Sequence, residues 1–194
     1  VKEAGVKLPD SEHLENGSVS NRDGMGIAFH KKDSNEVLIK KDFTNVFILN
    51  KWIKENVKEE DSLIVHFRLA TSGWKDAGNA HPYPLVKDDK LLRSTELVWK
   101  DAVAHNGVFR DYDKDKILND TQNFIIDILS EDIIRNNLKN PVIQKLIKES
   151  IGGSKLAFML NDGEIIMLGE FQDEKSVKFS NYCYRWSSSQ NNYK

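Results

Sequence analysis

Ser62-Leu63-Ile64-Val65-His66-Phe67-Arg68-Leu69-Ala70-Thr71-Ser72-Gly73 and Asp101-Ala102-Val103-Ala104-His105-Asn106-Gly107 decide how this chain is read. Each is an apolar run of strand length that ends in polar residues. Asn79-Ala80-His81-Pro82 lies between them. Two strands ending this way present chemistry at the edge of a sheet; the plain alternative is two strands ending in ordinary turns. Upstream, Met25-Gly26-Ile27-Ala28-Phe29 and Glu36-Val37-Leu38-Ile39 read as a hairpin around the polar residues 31–35. Thr44 can cap a helix with Val46, Leu49, Ile53 and Val57 on one face. Downstream, a helix is expected from near Asp120, with Phe124, Ile125, Ile128 and Leu129 inward. Asn140-Pro141 starts another, with Val142, Leu146 and Ile147 toward the core and Gly152-Gly153 ending it. Residues 155–160 and 164–168 form a hairpin across Asn161-Asp162-Gly163, and residues 176–184 form a last strand. Strands, then helices, then antiparallel strands predict an α+β fold with mainly antiparallel sheets.

The 194 residues suit one domain, with 39% hydrophobic and 30% charged residues. A formal net charge of −2 gives no electrostatic case for nucleic acid. No apolar run approaches the roughly 18 residues of a membrane span. Cys183 is the single cysteine, which excludes a disulfide framework and a thiolate zinc site, and it fits a reducing, cytoplasmic setting.

Several side chains suit chemistry, each beside a plainer role. Arg68 at a strand end, with Thr71 nearby, suits a small carboxylate because guanidinium donates two parallel hydrogen bonds; an Arg paired with a structural carboxylate is the alternative. Asn106-Gly107 offers a side-chain amide and a backbone N–H for an oxyanion, or is a simple turn. Asp120 can bind a substrate ammonium or cap its helix. His66, His81 and His105 lack metal-ligand spacing, so loop bracing is the expectation and no metal site is predicted.

Taken together, Asn21-Arg22-Asp23-Gly24-Met25-Gly26, the 66–73 segment, Asn79-Ala80-His81-Pro82, His105-Asn106-Gly107 and Asp120-Thr121-Gln122 occur in an order that resembles class II glutamine amidotransferases, members of the N-terminal-nucleophile (Ntn) hydrolase superfamily. The likeness is to small stand-alone phage and bacterial members and extends to Trp186, leaving 187–194 as a tail. The resemblance implies a four-layer αββα sandwich and hydrolysis of glutamine, or a related γ-glutamyl amide, without a cofactor. It implies that Arg68 and Thr71 hold the α-carboxylate, that Asp120 holds the α-ammonium, and that Asn106 and Gly107 form the oxyanion hole. Asn21, Asp23 and Gly24 would shape the rim; His81 and His105 would support loops. Ser72 stands where many members carry His.

The family's nucleophile is an N-terminal Cys whose own amine is the general base. Val1 offers none, so the Cys is expected a few residues upstream of Val1. The alternatives are a pocket-retaining binding or regulatory protein without catalysis, and an amide hydrolase with another substrate. A separate ammonia-accepting synthase is the implied partner, and the cytoplasm, of the host if phage-encoded, the implied location.

Overall fold

The computed structural model describes residues 1–114 and 116–185. Trp186 and the expected tail at 187–194 lie outside the described residues. In chain order the elements are α1 (Ser11–Ser20), β1 (Met25–His30), β2 (Val37–Lys40), α2 (Val46–Asn56), β3 (Ser62–Phe67), β4 (Tyr83–Pro84), α3 (Asp89–Leu92), β5 (Glu96–Trp99), β6 (Ala102–Asn106), α4 (Asp120–Phe124), α5 (Asp132–Arg135), α6 (Pro141–Ile151), β7 (Lys155–Met159), β8 (Ile165–Leu168), β9 (Gln172–Glu174) and β10 (Val177–Phe179). A π-helical turn, Ile125–Leu129, prolongs α4.

Two four-stranded sheets, ordered β3-β1-β2-β5 and β4-β6-β7-β8, are antiparallel throughout, with β9 and β10 pairing separately. The mixed α/β class with antiparallel sheets is therefore as expected. Strand alternation sorts the apolar residues into three cores. Ile27 and Leu63 pack with Leu14 of α1 and Leu49 and Ile53 of α2. Ala28, Ile39 and Ile64 of the first sheet meet Ala102, Ala104, Ala157 and Met159 of the second. Val103, Leu156 and Phe158 face Phe124, Ile125 and Leu129, together with Ile147 and Ile151 of α6. Small alanines at the sheet–sheet contact let the two sheets approach closely.

Three local expectations are corrected. The cap of α2 is Asn45, not Thr44: its side chain accepts from the Ile48 N–H at 3.0 Å, the same chemistry one residue later. On α6, Ile147 is buried, but Val142 and Leu146 are 64% and 53% exposed. The inward stripe is Ile143, Ile147 and Ile151, spaced four apart, and Val142 and Leu146 lie about 100° around the helix from it. The expected strand at 176–184 is only β10. Beyond it the Asn181 side chain accepts from the Cys183 N–H at 3.0 Å, and this local bond replaces the sheet ladder with a turn of 3-10 helix over Cys183–Arg185.

Candidate functional site

The ends of β3 and β6 converge on one cavity. One cavity is lined by Asn21, His66, Arg68, Thr71, Ser72, His81, His105, Asn106, Gly107 and Asp120. A second runs along the outer edge of β3, from Val1 and Lys2 past residues 63–67 to Asn21, His66, His105 and Asn106, which line both.

Arg68 follows β3 and is 3% exposed. Its two terminal nitrogens donate to the Ser72 carbonyl at 2.5 Å and the Trp74 carbonyl at 2.9 Å. No carboxylate among the described residues forms an ion pair with it. Asp120 opens α4 and is 5% exposed. Its carboxylate accepts from the Phe109 N–H at 2.6 Å and the Thr121 N–H at 2.8 Å, and no cation among the described residues pairs with it. Burial raises its pKa above the ordinary value, opposed by those N–H bonds. Capping belongs to the preceding residue: Asn119 accepts from the Gln122 N–H, and the Gln122 side chain accepts in return from the Asn119 N–H, both at 2.9 Å. Asp120 is thus relieved of the capping role that was the plainer reading.

Ser72 joins the two charges. Its carbonyl holds Arg68, its hydroxyl accepts from the Asp120 N–H at 3.1 Å, and the same hydroxyl donates to Asp113 at 2.6 Å. Thr71 is exposed on the cavity wall. At the rim, Asp23 accepts from the Ala70 N–H at 2.9 Å and pairs with Lys75 at 3.0 Å, and these contacts, the Ala70 bond first, hold its carboxyl below the usual range. The Gly24 carbonyl accepts from the Arg68 N–H at 2.8 Å, which fixes the start of the Arg68 loop.

Three imidazoles form the floor. His66 stacks on His81 with centroids 4.3 Å apart, and His105 stacks on Phe109 at 3.9 Å. His66 Nε2 donates to the His105 carbonyl at 2.9 Å; His81 Nδ1 accepts from the His105 N–H at 3.1 Å. Burial pushes His66 down to about 4 and His105 to about 3, and burial followed by its two histidine neighbours lowers His81. The lowered values leave the three rings neutral at pH 7. Among the described residues no group of three or more His, Cys, Asp or Glu is arranged to hold a metal, and no helix is long and apolar enough to cross a membrane.

Asn106 ends β6, and its side-chain amide bonds to no described residue. Gly107 has φ +149°, and a Cβ there would lie 2.1 Å from Ser154 Oγ and 2.8 Å from His105 Nε2. Only glycine fits that backbone and that space. Sequence reading missed the roles of Asn119 and Asp113. The Asn119-x-x-Gln122 spacing is a visible capping signal, whereas nothing local marks Asp113.

The chain matches no protein-family model and no curated protein.

Proposed function

We propose that this chain is the glutamine-binding domain of a class II glutamine amidotransferase-like amide hydrolase. The observation that carries the reading is a buried cation and a buried anion, Arg68 and Asp120, each without a charged partner among the described residues and both lining one cavity. An isolated buried charge costs several kcal/mol of desolvation. An α-amino acid zwitterion relieves both at once: its carboxylate meets the guanidinium, aided by Thr71, and its ammonium meets Asp120. The side-chain carboxamide then reaches toward Asn106 and Gly107, whose N–H groups serve a developing oxyanion. The three stacked cores support the four-layer αββα arrangement of the Ntn hydrolases.

The edge of β3 supplies a path for the nucleophile. Lys2 pairs antiparallel with Leu63, each N–H bonding the other's carbonyl at 2.8 Å. Each step back along the chain in this register moves one residue up β3, so an extended segment before Val1 brings its fourth residue opposite Arg68. A Cys there, at the start of the mature protein, reaches the cavity. Its amine takes the thiol proton and the sulfur attacks the carboxamide carbon. The C–N bond breaks as that proton leaves with ammonia, and water cleaves the thioester to glutamate and free thiol. Ammonia passes into solution or to a separate synthase.

The test has two parts. L-Glutamine is titrated into the 194-residue chain by calorimetry, and ammonia release is measured on the protein purified from its native gene, with intact mass and N-terminal sequencing. Binding together with hydrolysis by an N-terminal Cys supports the whole reading. Binding without hydrolysis leaves a pocket-retaining binding protein. No binding overturns the zwitterion site.

A further inference from the structure

Lys40 and Lys41 follow one another at the end of β2 in opposite surroundings. Lys40 pairs with Asp42 at 2.8 Å and with Glu96 at 2.6 Å. Lys41 is 1% exposed, and no carboxylate among the described residues pairs with it. The carboxylate whose field reaches it, Asp76, is bound to Arg93 at 2.7 Å. The three protons of the Lys41 ammonium have three acceptors: the Leu92 carbonyl at 2.9 Å, the Gly78 carbonyl at 3.2 Å and the face of Tyr83, its centroid 4.6 Å away. Two routes lead from this ammonium to the two charged grips. The same two carbonyls accept from Gln122 Nε2 at 3.3 and 3.4 Å, and Gln122 forms the capping box with Asn119, the residue before Asp120. On the other side Gly78 precedes Asn79, whose side chain donates to the Trp74 carbonyl at 3.1 Å, and that carbonyl holds Arg68. The Tyr83 hydroxyl ties the routes together, donating to the Asn79 carbonyl at 2.5 Å and accepting from Asn119 Nδ2 at 2.6 Å. Asn79, Tyr83, Asn119 and Gln122 are all 2% exposed or less.

We propose that Lys41 is a positioning residue of the glutamine site: it touches no ligand, and its ammonium fixes the Gly78 and Leu92 carbonyls so that Asn79 and Gln122 hold Arg68 and Asp120 where one α-amino acid bridges them. The inference rests on the glutamine reading and adds to it the group that orients both grips at once. A buried cation without a counter-charge lowers stability, and an apolar side chain of the same length would fill the space without that cost. Burial, with Arg93 acting in the same direction and Asp76 against it, lowers the Lys41 pKa to about 7. The neutral amine has two hydrogens for three acceptors and loses the added strength of charge-assisted bonds. The site is therefore held best while Lys41 is charged, and by linkage a bound glutamine raises the proton affinity of Lys41 in the same proportion. The other titratable groups packed beside it do not compete for that proton. Burial keeps Tyr83 and His81 neutral, and Arg93 and Asp76 are paired with each other.

The experiment compares the 194-residue chain with its Lys41→Met variant, which keeps an unbranched apolar stem and removes the ammonium. L-Glutamine is titrated into each by calorimetry near pH 7, in buffers of different ionisation enthalpy, and each is unfolded in urea. Lys41→Met is expected to weaken glutamine roughly 3- to 10-fold, a share of the charge-assisted bonds lost. Its urea midpoint should stay or rise, because the desolvated charge is gone. The wild type should take up a fraction of a proton as glutamine binds, and the variant should not. Unchanged affinity in Lys41→Met, a midpoint that falls together with affinity, or wild-type binding without proton uptake overturns the positioning role and leaves the zwitterion site standing. If Lys41→Met fails to fold, proton uptake by the wild type still decides. Failure of the wild type to bind glutamine overturns the glutamine reading, and the role of Lys41 with it.

Discussion

Gly107→Ala tests the backbone on which the proposed oxyanion hole depends. With φ at +149°, a side chain there is strained wherever it points, and the new Cβ would sit 2.1 Å from Ser154 Oγ, 2.7 Å from Ser154 Cβ and 2.8 Å from His105 Nε2. Backbone strain of this kind costs about 1–3 kcal/mol. Overpacking a fixed site costs about another 1–3 kcal/mol, for roughly 2–6 kcal/mol together. Domains of this kind have only about 5–15 kcal/mol in total, so a large drop in the urea midpoint is expected. Ser154→Gly removes both serine contacts and none of the backbone strain. In a double-mutant cycle it should therefore return only part of the overpacking share of about 1–3 kcal/mol, because the 2.8 Å contact with His105 Nε2 and the backbone strain both remain. Circular dichroism against urea for the wild type, both single variants and the double variant measures this. A Gly107→Ala cost under about 1 kcal/mol, or additivity with Ser154→Gly, would refute the claim that Ser154 and the left-handed backbone pin this loop.

Arg68→Met should weaken L-glutamine binding by roughly 30-fold or more, because it leaves the ligand carboxylate unpaired, while binding of glutamine α-amide, which has no carboxylate, changes little. Calorimetry with the two ligands separates this from a general loss of fold, since Ser72 and Trp74 lose their donor in either case. The raised pKa of Asp120 sets a pH dependence with opposite signs for affinity and stability. Ammonium binding needs the carboxylate, so glutamine affinity is lost as pH falls through the folded pKa, at a pH above the usual 3.8. The stability linked to this group is fully present below the unfolded pKa and is lost as pH rises through the folded one. Titrations of glutamine between acid and neutral pH, beside denaturation of the free protein, should show the two trends crossing.

The strands were legible because their apolar runs are short and end in polar clusters, and β1, β2, β3, β6, β7 and β8 lie where those runs predict. The helix α1 was not, because Ser11–Ser20 has a single large buried apolar residue, Leu14, and no periodic stripe. Its packing depends on features without a local signature: Gly17 lying flat against the Phe67 ring, and Asn16 donating to the Tyr184 carbonyl at 3.0 Å. In the site, residue types were readable and pairing was not. Arg68 and Asp120 are visible as ionisable residues at element ends, but their lack of mutual pairing depends on distances between elements 52 positions apart in the chain. The stack of His66 on His81 is equally invisible, since it joins β3 to a loop that no periodicity connects to it.

What prevents Arg68 and Asp120 from quenching each other is the choice of dipoles that solvate them. The guanidinium is held by the negative ends of two carbonyls and the carboxylate by the positive ends of two N–H groups, so each charge is stabilised without being neutralised. Ser72 serves both sides through different atoms, its carbonyl to Arg68 and its hydroxyl to the Asp120 N–H. A side-chain substitution therefore touches one end only. Ser72→Ala keeps the carbonyl and should leave Arg68 in place, but it frees the start of α4 and the Asp113 carboxylate. The loss of one hydrogen bond to a positioning residue corresponds to roughly 2- to 10-fold in affinity. That loss should appear for L-glutamine and for glutamine α-amide alike, since both carry the ammonium, and be absent for N-acetylglutamine, which lacks it. An equal loss for all three ligands would mean that Ser72 supports the cavity as a whole, and the division of labour between its carbonyl and its hydroxyl would be wrong.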